Sequence, residues 1–363
     1  MTQQPLVRPL LVTADGQVLD DLLRLAAAAD VELEVAADVP SARRAWPGAP
    51  LVLVGSDLAP DLARRPPPRR EDVILVGGDL DDASVWQRAV SLGAAHVVFL
   101  PDADEWLVGC LADARERAGR GAGALAVVVG GRGGAGASTL AAALGVTAVR
   151  RHRSALLVDA DPLGGGLDLV LGGEDAAGLR WPDLAGTRGR IAGDSLADAL
   201  PSVEGLVVLS WDRSSPLSVD PDALQSVLAA GTRAHDLVLV DLPRTVDAAA
   251  QEALTRCDLA WLVVPAEVRA AASAARVAAA VGAFASRVEV VVRGPAPGGL
   301  PAQVVADSLG LPLAGSVRAE PGLAAALERG EAPARSGRGP LSRLCGQLLD
   351  DLLGGSRLPA TAA

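Results

Sequence analysis

The chain contains no lysine, no asparagine and no tyrosine, and only 2 phenylalanines and 1 methionine among 363 residues. All 33 basic side chains are therefore arginine. Chemistry that depends on a lysine, such as a lysine Schiff base or a phosphate-gripping lysine, is excluded within the chain. Half of the residues are apolar, so a large core is available, built from leucine, valine and alanine rather than aromatics. Cysteine is scarce: Cys110, Cys257 and Cys345 are odd in number and far apart. They match no metal or redox spacing and read as ordinary thiols of a reducing compartment.

Positive charge is also in deficit. A net charge of −11 argues against a general nucleic-acid coat, which needs a positive surface. The local cluster Arg150-Arg-His-Arg153 reads as a solvated turn, with DNA or anionic-lipid contact as the alternative. No leader pattern opens the chain, and no uncharged apolar run approaches the roughly 18 residues a membrane span needs. The expectation is a cytoplasmic protein.

What is present is alternation. In residues 1–118, short Val/Leu runs at 9–13, 31–35, 50–54, 72–76 and 95–100 alternate with helical patterns, which predicts a parallel sheet covered on both faces. The segment 119–123, Gly-Arg-Gly-Ala-Gly, has no apolar period and reads as a linker. A larger alternating set occupies 124–356, with strands expected at 124–129, 154–159, 205–209, 236–241, 259–264, 287–292 and 312–316. Residues 162–194 are poorly periodic and read mostly as loop. Residues 357–363 read as a disordered tail. The fold class is thus α/β, two doubly wound parallel-sheet domains in series.

Within the second domain, the apolar run 124–129 enters Gly130-Gly-Arg-Gly-Gly-Ala-Gly136, and Ala137-Ser-Thr-Leu then opens a helix. Such a loop lets backbone N–H groups converge, and the helix start adds partial positive charge, so an anion site is expected. Ser138 stands where a hydroxyl holds Mg²⁺. The same glycines, Gly131-x-Gly133-x-x-Gly136, also satisfy the dinucleotide fingerprint, with Asp159 or Asp161 as the ribose acid; an NAD(P)-dependent oxidoreductase is one alternative. Two strands end in acids, at Asp159-Ala-Asp161 and at Asp241. Acids also commonly end strands and cap the next turn, so the first pair is ambiguous by itself.

Residues 132–139, Arg-Gly-Gly-Ala-Gly-Ala-Ser-Thr, resemble the deviant Walker A motif Lys-Gly-Gly-x-Gly-Lys-Thr-Thr of the MinD/ParA ATPases, a SIMIBI-class P-loop NTPase family. Both lysines differ. Arg132 takes the place of the lysine that reaches across a sandwich dimer, and Ala137 that of the lysine that grips phosphate. The resemblance extends over 124–353, through Asp161, Asp241-Leu-Pro243, 257–268 and the 309–331 segment that flanks adenine in relatives. It implies ATP and Mg²⁺ as cofactors. Gly131, Arg132, Gly133, Gly134, Ala135, Gly136, Ala137, Ser138 and Thr139 would contact nucleotide. Asp161 would orient the attacking water, and Ser138 with Asp241 (through water) would hold Mg²⁺. It further implies a nucleotide-linked homodimer with weak or lost hydrolysis; a nucleotide-free scaffold is the other alternative.

Residues 8–118 resemble a receiver domain of the flavodoxin-like type, especially at 89–101. The residues for phosphotransfer are missing: Thr13-Ala14-Asp15 stands for the acidic pair, Gly55 for the acceptor with Asp57 just beyond, and Leu100 for the lysine. A pseudo-receiver followed by a MinD-like ATPase resembles the CpaE-like and septum site-determining proteins. The function that this implies is placement of the septum or of Flp/tad pilus and secretion machinery. The partners would be proteins of those machineries, with membrane or septum contact indirect or weak. The leucine-rich terminal helix carries Asp350 and Asp351 on its polar face and is expected to pack on the core rather than on lipid.

Overall fold

The computed structural model describes residues 8–70, 72–77, 84–120, 123–184, 191–212 and 218–355. The chain forms two compact units, 1–121 and 122–363.

In the first unit, β1 (Leu10–Val12), β2 (Glu34–Ala36), β3 (Val52–Gly55), β4 (Val73–Gly77) and β5 (His96–Phe99) form one sheet in the order β2-β1-β3-β4-β5. Every pairing is parallel, so each crossover carries a helix, as parallel pairing requires. β1, β3 and β4 are completely buried, which explains their unbroken apolar runs. β2 begins later than its Val/Leu run at 31–35 suggests. The helix Gly16–Ala28 ends with Asp30 in a left-handed conformation (φ 54°) and with the Val31 N–H bonded to Ala26 O at 2.9 Å. This helix exit consumes the residues that propensity assigns to the strand.

The second unit holds β6 (Ala124–Gly130), β7 (Ala155–Asp159), β8 (Ser202–Val203), β9 (Leu206–Leu209), β10 (Leu237–Leu242), β11 (Leu259–Pro265), β12 (Val288–Arg293) and β13 (Leu313–Val317). Their order is β13-β12-β11-β6-β10-β7-β9-β8. Only the β8–β9 pairing is antiparallel among the described strands. The turn between them, Glu204-Gly205, has φ of 52° and 88°, the two positive values of a tight hairpin. Two residues are too few to show a period, so β8 has no sequence signal. The region 162–194 is more ordered than its composition suggests. The short helices Leu167–Leu171 and Trp181–Leu184 lie within it, and a third, Gly193–Ala199, begins at its end. The helix Asp104–Arg120 runs into the segment read as linker, and Gly123 N donates to Thr232 O at 2.8 Å. The tail at 357–363 lies outside the described residues.

The helix Pro340–Gly355 buries Leu341, Leu344, Cys345, Leu348, Leu349 and Leu352 beside the helix Ala137–Arg150. Asp350 accepts from Arg151 at 2.7 Å. The apolar face of this helix is thus spent on the core, as its acidic polar face implies. No described helix is long and apolar enough to cross a membrane.

Candidate nucleotide site

The C-terminal edge of a parallel sheet is where connecting loops gather chemistry, and here β6, β7, β10 and β12 end together. β6 delivers the glycine loop. Gly131 N donates to Val263 O and Ser273 Oγ donates to Gly131 O, both at 2.9 Å. A Cβ on Gly131 would stand 2.6 Å from Ala274 Cβ, so only glycine lets the loop lie against the helix Val268–Gly282. Gly136 caps the next helix in a left-handed conformation (φ 98°) with no side-chain cap. The first-turn N–H groups of Ala137–Arg150 therefore lack a side-chain acceptor and remain available to an anion.

Ser138 stands in the first turn of that helix, with its side chain beside Asp241 at the end of β10. Asp241 is buried, and burial pushes its pKa up to about 7, helped by the charges of Asp159 and Asp161 and opposed by the Ser138 hydrogen bond. A buried carboxylate beside a hydroxyl, at the mouth of an anion loop, is a donor set suited to a hard divalent cation.

Asp159 behaves differently. Burial pushes its pKa up to about 6, opposed by the N–H groups of Leu167 (2.9 Å) and Asp161 (3.2 Å) and by the Ser210 hydroxyl (3.0 Å). These partners turn it away from the cleft, and its own carbonyl accepts from Trp181 Nε1 at 2.6 Å. It is a pin for the loop after β7. Asp161, two residues on, does border the cleft.

The nine loop positions named from sequence come together as one cradle. All but Gly131 border, with Asp161 and Asp241, a cleft of about 380 Å³. Gly131 sits behind, packed on the neighbouring helix. Ala137 faces the cleft and offers only its backbone N–H. Arg132 Nη2 is held by Glu267 Oε1 of the same chain at 3.1 Å. An adjoining compartment of about 280 Å³ is lined mainly by apolar residues, including Val263, Val291, Pro295, Val317 and Leu327. Gly136, Thr139 and Arg293 border both spaces.

Two arginines in the cleft, Arg244 and Arg293, are absent from the sequence reading. Arg244 follows Asp241-Leu-Pro243 closely and could have been suspected. Arg293 ends β12, and only the sheet order brings it to the loop.

In the first unit the corresponding strand ends are closed. Asp57 accepts from Thr13 Oγ1 at 2.9 Å and from Ala14 N at 2.7 Å. A Cβ on Gly55 would fall 2.3 Å from Asp57 Oδ1, so the Asp57 carboxylate fills the space beside the acceptor position.

Residues 12–122 match the family described as Rv3660c-like, CheY-like N-terminal domain. The uncharacterized protein Rv3660c of Mycobacterium tuberculosis is 42% identical over 319 residues, 87% of this chain and 90% of that protein. Among solved structures, a ParA family ATPase from Chlorobium tepidum aligns with a TM-score of 0.57 at 16% identity, over 63% of this chain and 98% of that one. A chain of a MinC:MinD cell division protein complex from Aquifex aeolicus aligns with a TM-score of 0.54 at 25% identity, over 66% of this chain and 99% of that one. With that identity over most of its length, the chain belongs to the Rv3660c-like family, a CheY-like domain followed by a unit with the MinD/ParA fold.

Proposed function

We propose that the second unit binds Mg²⁺ and ATP as a conformational switch with weak or lost hydrolysis. The carrying observation is the Ser138–Asp241 pair at the mouth of a glycine loop whose helix start has no side-chain cap. Ser138 would hold Mg²⁺ directly and Asp241 through water. When bound, Mg²⁺ neutralises phosphate charge. The loop amides orient the phosphates, and the apolar compartment excludes water from the nucleoside. Ala137 adds no charge that grows stronger in the transition state, and removing such a charge typically costs several kcal/mol of catalysis. Binding is thus retained more readily than turnover.

Sheet order favours this reading over a dinucleotide site. In the dinucleotide fold the strand that follows the glycine helix pairs directly with the glycine strand. Here β10 lies between β6 and β7, which sets Asp241 next to the loop and leaves Asp159 facing Leu167 and Ser210.

The resemblance to MinD, ParA and CpaE-like proteins supports a spatial regulator of septum placement or of pilus and secretion machinery. Its nucleotide states would change a homodimer and its protein partners, and any membrane contact would pass through those partners. Arg132 would leave Glu267 to reach the partner's nucleotide. Arg132→Ala should then weaken ATP-linked dimerisation in light scattering, and unchanged dimerisation removes that role.

The decisive experiment is calorimetry and thermal melting with Mg·ATP, with NAD as control. A ligand at a hundred times its Kd stabilises by about 2.7 kcal/mol, a readily measured upshift. Indifference to Mg·ATP overturns the switch and leaves a scaffold; a response to NAD alone restores the dinucleotide alternative.

A further inference from the structure

Around the glycine loop, charge has been moved rather than deleted. Arg132 is engaged by Glu267, and Ala137 carries none. Arg244 and Arg293 border the same cleft and, among the described residues, make no ion pair or side-chain hydrogen bond. They stand at different points of the loop, one at its middle and one at its end. Arg244 Nη2 lies 3.9 Å from where a Cβ on Gly133 would be. Arg293 Cδ and Nη1 lie 3.4 and 3.7 Å from the same point on Gly136.

The two carboxylates of the cleft do not answer these cations. Asp241 lies beside Ser138, and Asp161 accepts from Leu163 N at 3.1 Å. Arg293 Nε is shielded from solvent and has no acceptor. A buried donor left without an acceptor is unfavourable, and a phosphate oxygen is the strong acceptor that would satisfy it. Arg293 also borders both compartments, so its charge sits where the apolar space gives way to the phosphate loop. Gly136 leaves room for its stem to lie along the helix start.

We propose that Arg293, with Arg244 near the middle of the loop, grips the triphosphate in place of the lysine that Ala137 has replaced. This rests on the nucleotide-binding reading above and assigns its phosphate-recognition residues. A guanidinium offers a planar fork in place of an ammonium point charge, and it reaches the loop from the end of a different strand.

Calorimetry on the full chain tests this with two probes, Mg·ATP and inorganic tripolyphosphate. Arg293→Ala should weaken both at least tenfold, as loss of a charge-assisted hydrogen bond implies. Arg244→Ala should weaken both by a smaller factor, and Arg293→Lys should recover part of the loss. The ligand-free melt of each variant should match that of the parent. If Arg293→Ala melts earlier, Arg293→Gln, which keeps most of the stem, carries the comparison. Equal affinity of parent and variant overturns the inference and leaves nucleotide binding standing. Loss of ATP binding with tripolyphosphate binding intact also overturns it, because Arg293 would then serve the nucleoside. A parent that binds neither probe overturns the proposed function, and this inference with it.

Discussion

The two units have each lost the residues that their resemblances lead one to expect, and they have filled the losses in opposite ways. In the first, Asp57 folds back beside Gly55 and is fastened by Thr13 and Ala14. At the next strand end, a Cβ on Gly77 would stand 2.6 Å from the Phe99 ring. Neutral and charged groups of the chain itself occupy the space, and the site is closed. In the second, the loop keeps an open cleft bordered by Arg244 and Arg293, which make no ion pair or side-chain hydrogen bond among the described residues. Loss of a catalytic group is therefore not one event. It can leave a strand end filled by the chain's own groups or an open cleft bordered by arginines, and the partners of the remaining groups tell the two apart.

The largest expected effect tests the cost of the buried acid that pins the loop beside the open site. Asp159 has its pKa raised from 3.8 to about 6 by burial. The folded state therefore holds this proton more tightly than the unfolded chain. Its contribution is complete below about pH 4 and is lost as pH rises through about 6. The loss is about 3 kcal/mol, an upper value for a shift of roughly 2 units. Melting of the ligand-free protein across that window should show the fall, and Asp159→Asn should lessen it, the remainder coming from Asp241, whose pKa burial pushes up to about 7; an equal slope in both would place the cost elsewhere.

Next in size is Gly55→Asp. It adds a carboxylate where Asp57 already stands 2.3 Å from the Cβ position, and overpacking with like charge should cost about 2 kcal/mol in denaturant unfolding. A neutral result would mean that the closed site is looser than its hydrogen bonds indicate.

Ala137→Lys sharpens the contrast from the other side. Restoring the ammonium to an open cleft should tighten Mg·ATP by up to about tenfold in calorimetry. No gain would show that Arg293 and Arg244 already saturate phosphate recognition. The smallest effect is none at all. Incubation with acetyl phosphate should give no aspartyl adduct by mass spectrometry, and Leu100→Lys should not create one. A stoichiometric adduct would break the comparison at its first half.

Legibility from sequence followed the length over which a physical signal is written. β6, β10 and β11 are buried on both faces, so each is a continuous apolar run and was plain. The glycine loop was equally plain, because close approach at Gly131 and positive φ at Gly136 demand a residue without Cβ. β8 was invisible at two residues, and β2 was displaced by a helix exit. The short helices after β7 were missed because pins such as Trp181 Nε1 on Asp159 O connect residues too distant for local patterning to relate. By residue type alone Asp159 and Asp161 look alike; the resemblance singles out Asp161, and the structure gives the two different neighbours.

By itself, the sequence determined that the chain has no lysine, that its long apolar runs form buried parallel strands, and that one loop carries the glycines an anion site needs. Those properties are local, set by composition, by apolar runs and by glycines within ten residues. The sheet order decided the rest. It placed β12 two strands from β6, which brought Arg293 to Gly136 across more than 150 residues of chain. Such proximity depends on which strands pair and in what register, a result of the whole core that no single segment encodes.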